Sequence, residues 1–237
     1  MNHSSRKIFW WVSIYSIAMG LLETAVVVYL RKLYYPHGIY FPLAPVHDDI
    51  ASVELWREFA TLIMLVAIGI LAGRNKAEKF AYFLYSFAIW DLFYYVFLKA
   101  FLNWPESLMT WDILFLLPVP WVGPVITPCI IAVTMILFCL TVIHFTNKGI
   151  AVSMVSKERW LLWLGAFIVI VSFTMDYVEK KGATLWRNIT SEKSFFTNLV
   201  DYVPQHFNWP YFILGEGMIL VAWLMYRKRL EAIVKTH

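Results

Sequence analysis

Long apolar blocks separated by short polar or basic stretches set the pattern of this chain. About 20 apolar residues are needed for a helix to cross the hydrocarbon of a bilayer. Six blocks reach that scale: residues 8–30, 53–72, 80–101, 118–145, 160–178 and 209–226. The pattern predicts an all-α, polytopic transmembrane helical bundle of six spans, formed as a single integral membrane domain over residues 1–237. The first block follows Arg6 and Lys7 and resembles a signal peptide at first sight. It continues past Glu23 to Leu30, too long for a typical signal core, and is read as a retained span.

The fourth block is irregular. Pro118, Pro120, Pro124 and Pro128 fall at its start, so a proline-broken fourth span is expected, with Gly123 allowing close backbone approach. Just before it, Asn103-Trp104-Pro105 resembles Asn208-Trp209-Pro210 in type. In each, Asn suits a cap, Trp an interface and Pro a first helical turn. The second copy is expected to open the sixth span. The first is expected to open a short interfacial helix that carries Glu106 and ends near Asp112.

Composition agrees with the pattern. Hydrophobic residues make up 60% of the chain, against about 45–50% in ordinary soluble domains. The 12 Trp and 13 Tyr suit the membrane–water interface. The net charge of +4 is read as topology, not as a nucleic-acid footprint. Twelve Lys and Arg residues fall in the N-terminus, second loop, fourth loop and C-terminus; seven fall in the other loops, and Arg57 lies just inside the second span. That bias predicts a cell-membrane protein with both termini cytoplasmic. Cys129 and Cys139, ten residues apart on one expected helix, lie about 15 Å apart along its axis and are not expected to bridge.

The acids carry the functional argument. With this topology, Glu23, Glu58, Asp91 and Glu216 all fall in the outer half of the bilayer, on four different spans. Asp91 is the deepest, about 15 Å below the end of its helix. A carboxylate facing lipid costs about 2.5–3.5 kcal/mol even on lenient scales, so these acids are expected to face inward. Arg57 is the internal cation. Glu54, Arg57 and Glu58 share one helix face at i, i+3 and i+4, and Arg57 is placed to pair locally or to reach Glu23 or Asp91. Tyr94 and Tyr95, at i+3 and i+4 from Asp91, are expected to donate hydrogen bonds into the same region. Asp112 and Asp176 lie nearer the interface and read as solvated caps.

Metal chemistry is weakly encoded. Asp91, Glu58, His47 and His206 are the candidate ligands, but no HExxH or Cys-rich pattern is present. The chain also lacks a nucleophile elbow and a Walker loop, and names no cofactor. Three readings stay open. In the first, the acids bind protons, a metal ion or a cationic group, as in a proton-coupled transporter. In the second, the same residues serve an embedded enzyme acting on a lipid or lipid-linked substrate. In the third, they form structural ion pairs in an accessory subunit that docks a membrane partner protein.

Overall fold

The computed structural model describes residues 3–35, 41, 48–116, 119–189 and 202–236. Six long helices dominate. They are α1 (His3–Tyr34), α2 (Asp48–Ala72), α3 (Lys76–Leu102), α4 (Ile126–Asn147), α5 (Ser156–Ile189) and α6 (Trp209–Thr236). Each contains a stretch long and apolar enough to cross a membrane. The chain therefore has the architecture of a multi-pass membrane protein. Its outward surface is apolar: Leu71, Trp160 and Trp11 are largely exposed, as lipid-facing side chains are in a bundle described without its bilayer.

α3 is the hub, with α1, α2 and α4 packed on it. Its start is cut by Asn75, whose side chain accepts from the Glu78 amide at 2.9 Å. Its end is turned by Asn103 in the left-handed region, φ 52°. α1 runs parallel to α3 at a near-constant offset. The Ser13 and Tyr85 hydroxyls lie 2.7 Å apart, Ser16 donates to Ser86 at 2.9 Å, and Thr24 donates to the Tyr94 carbonyl at 3.2 Å. Such side-chain bonds between helices replace the missing hydrophobic drive in a lipid setting.

α5 and α6 form a second unit. They cross at Gly165 and Gly215, where a Cβ on either residue would lie 2.7–2.8 Å from the other's carbonyl oxygen. α4 joins the two units. Phe138 stacks on Tyr226 with centroids 5.6 Å apart, and the Trp223 indole donates to Thr141 at 2.9 Å. At one end of the bundle, Ser5 and Arg74 both reach Asn147, while Arg229 holds Glu158 at 2.8 Å. That end gathers the start of α1, the α2–α3 turn, the α4–α5 turn and the C-terminal half of α6.

The opposite end departs from the all-α expectation. Trp111–Phe115 (β1) and Trp121–Pro124 (β2) form a two-stranded antiparallel hairpin. The register pairs Trp111 with Pro124, Asp112 with Gly123, Ile113 with Val122 and Phe115 with Trp121, with an irregularity between Ile113 and Phe115. The expected short helix from Trp104 to Asp112 is corrected to turns followed by β1. Thr110 and Ser107 bond to each other's backbone and side-chain atoms there, which offers the backbone partners other than a helix. The fourth helix starts later than the expected fourth span. α4 is continuous from Ile126, and Pro128 sits in its first turn, where a missing amide costs nothing. Pro124 ends β2 at a strand terminus, as proline must. Pro118 lies outside the described residues.

Candidate functional site

The hairpin covers the space between α1, α2 and α3. Beneath it lies a cavity of about 220 Å³. Its walls carry Glu23 and Arg31 from α1, Glu54, Arg57 and Glu58 from α2, Asp91, Tyr94 and Tyr95 from α3, and Asp112 from β1. Val27, Trp90, Ile113, Leu114 and Phe115 give it apolar sides. On α1, residues 23, 27 and 31 follow the i, i+4, i+8 spacing of one helix face.

Most of these polar groups are already engaged. Arg57 pairs with Glu23 across helices and with Glu54 Oε2 at 2.8 Å along its own helix. Glu58 Oε1 accepts from the Leu116 amide at 2.8 Å, which ties the end of the hairpin to α2. The Tyr95 hydroxyl donates to Asp112 Oδ2 at 3.0 Å, which ties the hairpin to α3. Arg31 is 7% exposed and its guanidinium carbon lies 4.0 Å from the Trp104 ring centroid. Asp91 lines the cavity, and its side chain makes no hydrogen bond or ion pair among the described residues.

The structure thus brings Glu23, Arg57, Glu58, Asp91, Tyr94 and Tyr95 to one cavity. It separates Glu216 from them. Glu216 is 5% exposed between α4 and α6, where it accepts from the Thr134 hydroxyl, and it does not line the cavity. A shared level along the bundle did not mean a shared face. Tyr95 donates to Asp112 and not to Asp91, because the hairpin carries Asp112 inward over α3. His206 is exposed, and its backbone amide contacts Asp176 at 3.4 Å, so it stands apart from Asp91 and Glu58. His47 lies outside the described residues. Among the described residues no group of three or more His, Cys, Asp or Glu is placed to hold a metal ion. Asp176 accepts from Tyr202 at 2.6 Å and pairs with Lys180 at 3.1 Å, an interfacial tie.

Sequence reasoning passed over two residues here. Arg31 reads as a loop cation because it follows the first apolar block, yet it faces the cavity from α1. Its i+8 spacing from Glu23 was the available signal. Asp112 reads as a solvated cap, but it is 9% exposed. Burial pushes its carboxyl up to about 6, opposed by the Arg31 charge and the Tyr95 hydrogen bond. The folded protein therefore holds this proton to higher pH than the unfolded chain, whose value is near 3.8. The neutral acid's stabilising contribution is complete below pH 3.8 and is lost as pH rises toward 6. The loss amounts to about 3 kcal/mol across that window. In detergent melts, Asp112→Asn is expected to flatten the fall in stability between these two pH values. A variant with the wild-type pH profile would show that Asp112 does not titrate there.

The fold and this cavity define a six-helix bundle of membrane-protein type with a charged, hairpin-covered site at one end. Comparison with known protein families, characterised proteins and solved structures finds no match.

Proposed function

We propose that this is a multi-pass membrane protein whose hairpin-covered cavity binds a proton or a small cation, with Asp91 as the acceptor. The orientation follows from charge: Lys and Arg concentrate at the end bearing both termini, which is placed in the cytoplasm. The hairpin and its prolines then lie on the far side, in a break between the third and fourth spans. The observation that carries the reading is Asp91 itself. An acid among transmembrane helices is a functional-site hypothesis by default. Here it lines a cavity and its side chain has no partner among the described residues, whereas Glu23 and Glu54 already share Arg57. Among the described residues, Arg57 is already engaged by Glu23 and Glu54, and Arg31 stands about 15 Å further along α1, so the reading has the cation at Asp91 come from solution. Tyr94 lines the same wall and offers a hydroxyl to what binds there. Binding and release of such a cation is the step a cation-coupled transporter requires.

The test uses the purified full chain in maltoside micelles. The carboxyl stretching bands are followed by infrared difference spectroscopy while protons, sodium, calcium or methylammonium are titrated. At least one titration is expected to give a saturable change that Asp91→Asn removes, with the melting temperature preserved. If every response survives Asp91→Asn, or if the wild type responds to none of the four, the proposal fails.

A further inference from the structure

A second group on the cavity wall lacks a partner among the described residues, and its charge is opposite. Arg31 is 7% exposed, and its Nε is buried without an acceptor. Its guanidinium forms no hydrogen bond or ion pair among the described residues; its contact is the 4.0 Å stack on Trp104. Burying an ionised group without a counter-charge is strongly unfavourable. A buried guanidinium normally finds a carboxylate, a carbonyl or water, and its planar fork suits two-oxygen acceptors. The carboxylate whose field reaches Arg31 is Asp112, but Asp112 is bonded to Tyr95 and forms no ion pair with Arg31. Stacking on Trp104 holds the guanidinium plane while consuming none of its donors.

The position of Arg31 separates it from Asp91. Ser16 pairs with Ser86 and Thr24 with Tyr94, both at a sequence offset of 70, so Asp91 sits level with residue 21 of α1. Arg31 lies ten residues further along, about 15 Å toward the end where Trp104 and the hairpin stand. Among the described residues, the cavity therefore has an acid without a partner at its inner end and a base without one at its outer end.

We propose that Arg31, stacked on Trp104, is an anion-recognition residue at the outer end of the cavity. Its ligand is an oxyanion of the phosphate or carboxylate class, held by the guanidinium fork. The inference deepens the reading above, since it rests on the cavity being a ligand site. It involves a different wall, a different charge and different variants. Together the two assign the cavity a cation at Asp91 and an anion at Arg31, the pairing that co-binding of an anionic solute with a cation requires.

The experiment titrates the purified full chain, in phosphate-free maltoside micelles, with inorganic phosphate in one arm and phosphatidylglycerol in the other. Trp fluorescence and calorimetry are the readouts, and wild type is compared with Arg31→Gln, Arg31→Lys, Trp104→Leu and Asp91→Asn. Saturable binding is expected in at least one arm. It should weaken about 10- to 100-fold in Arg31→Gln, in line with loss of a charged hydrogen-bonding group. Arg31→Lys should fall between the two, because it keeps the charge and loses the fork. Trp104→Leu should weaken binding with Arg31 intact. Binding in the phosphate arm identifies a free anion, and binding in the lipid arm alone identifies a headgroup. Retained phosphate binding in Asp91→Asn would show that the two sites are separate. No binding in either arm by wild type, or equal binding by wild type and Arg31→Lys and Arg31→Gln, overturns the inference. If cation responses at Asp91 persist while anion binding is absent, this inference fails alone. If both are absent, the cavity is not a ligand site.

Discussion

Gly165→Leu is expected to unlock α5 from α6 and to cause a large loss of stability. A Cβ at Gly165 would already lie 2.7 Å from the Gly215 carbonyl and 2.9 Å from the Ile219 side chain. Backbone atoms on the facing helix cannot move aside as a side-chain tip can. The two helices must therefore separate, and with them goes the packing of Val169, Phe173 and Phe212 around the crossing. Over-packing typically costs about 1–3 kcal/mol, and a contact made backbone to backbone belongs at the top of that range. Gly217 on α6 supplies the control, since nothing lies within 4 Å of a Cβ built there. Gly217→Ala is expected to leave the melting temperature unchanged or raise it, by removing a mid-helix glycine. Thermal melts of the three proteins in the same detergent decide the matter. Equal melting of wild type and Gly165→Leu would mean that α5 and α6 do not cross at these glycines.

The second large effect is expected at Arg57. Arg57→Met leaves Glu23 and Glu54 facing each other across the α1–α2 wall with no cation between them. Removing one partner from a largely buried ion network costs about 3 kcal/mol, because the remaining charges stay desolvated. The loss should be partly recovered by adding Glu23→Gln, which removes one of the two stranded carboxylates. That recovery distinguishes an electrostatic network from simple loss of packing, for which the second substitution would add to the damage. Arg227 is the matched control. Its pair with Glu231 has the same 2.8 Å geometry but is about half exposed on both sides, so Arg227→Met should cost about 1 kcal/mol or less. Chemical denaturation in mixed micelles, run on the four proteins together, gives the comparison. A double variant less stable than Arg57→Met would remove the network from the account of this cavity.

The two experiments probe different links of the chain from sequence to structure. Gly165 is a helix-packing position, visible in the sequence as a lone glycine in an apolar run but not assignable to a partner. Arg57 is a charge inside an apolar block, and the sequence alone places it on one face with Glu54 and Glu58. Its bond to Glu23 is among the options that spacing allows, while its alternative partner Asp91 does not pair with it. Helix spacing places groups on a face; it does not say which face of which neighbour they meet.

The hairpin shows the same limit from another side. Trp111 to Phe115 is a short apolar run with one acid, which helix and strand accommodate equally well. The nearby prolines signal a break, and the described ones, Pro120, Pro124 and Pro128, stand beside or at the end of β2 and in the first turn of α4. They do not say that the freed backbone pairs into a ladder, which is how its amides and carbonyls are satisfied. The burial of Asp112 and Arg31 is not legible in the sequence for the same reason. Both lie at the edges of apolar blocks, where exposure to solvent is the usual outcome, and the folded hairpin buries them.

By itself the sequence determined the six membrane-capable helices, their approximate bounds and the presence of ionisable groups inside them. Length, hydropathy and the cost of unpaired backbone in an apolar medium leave few other arrangements. Tertiary structure alone decided which acids meet. Glu23, Glu58 and Asp91 came to one cavity while Glu216 went to another interface, because helix rotation and neighbour choice depend on packing between elements far apart in the chain. It also decided that a two-stranded hairpin covers that cavity and that one acid and one base on its walls have no partner among the described residues.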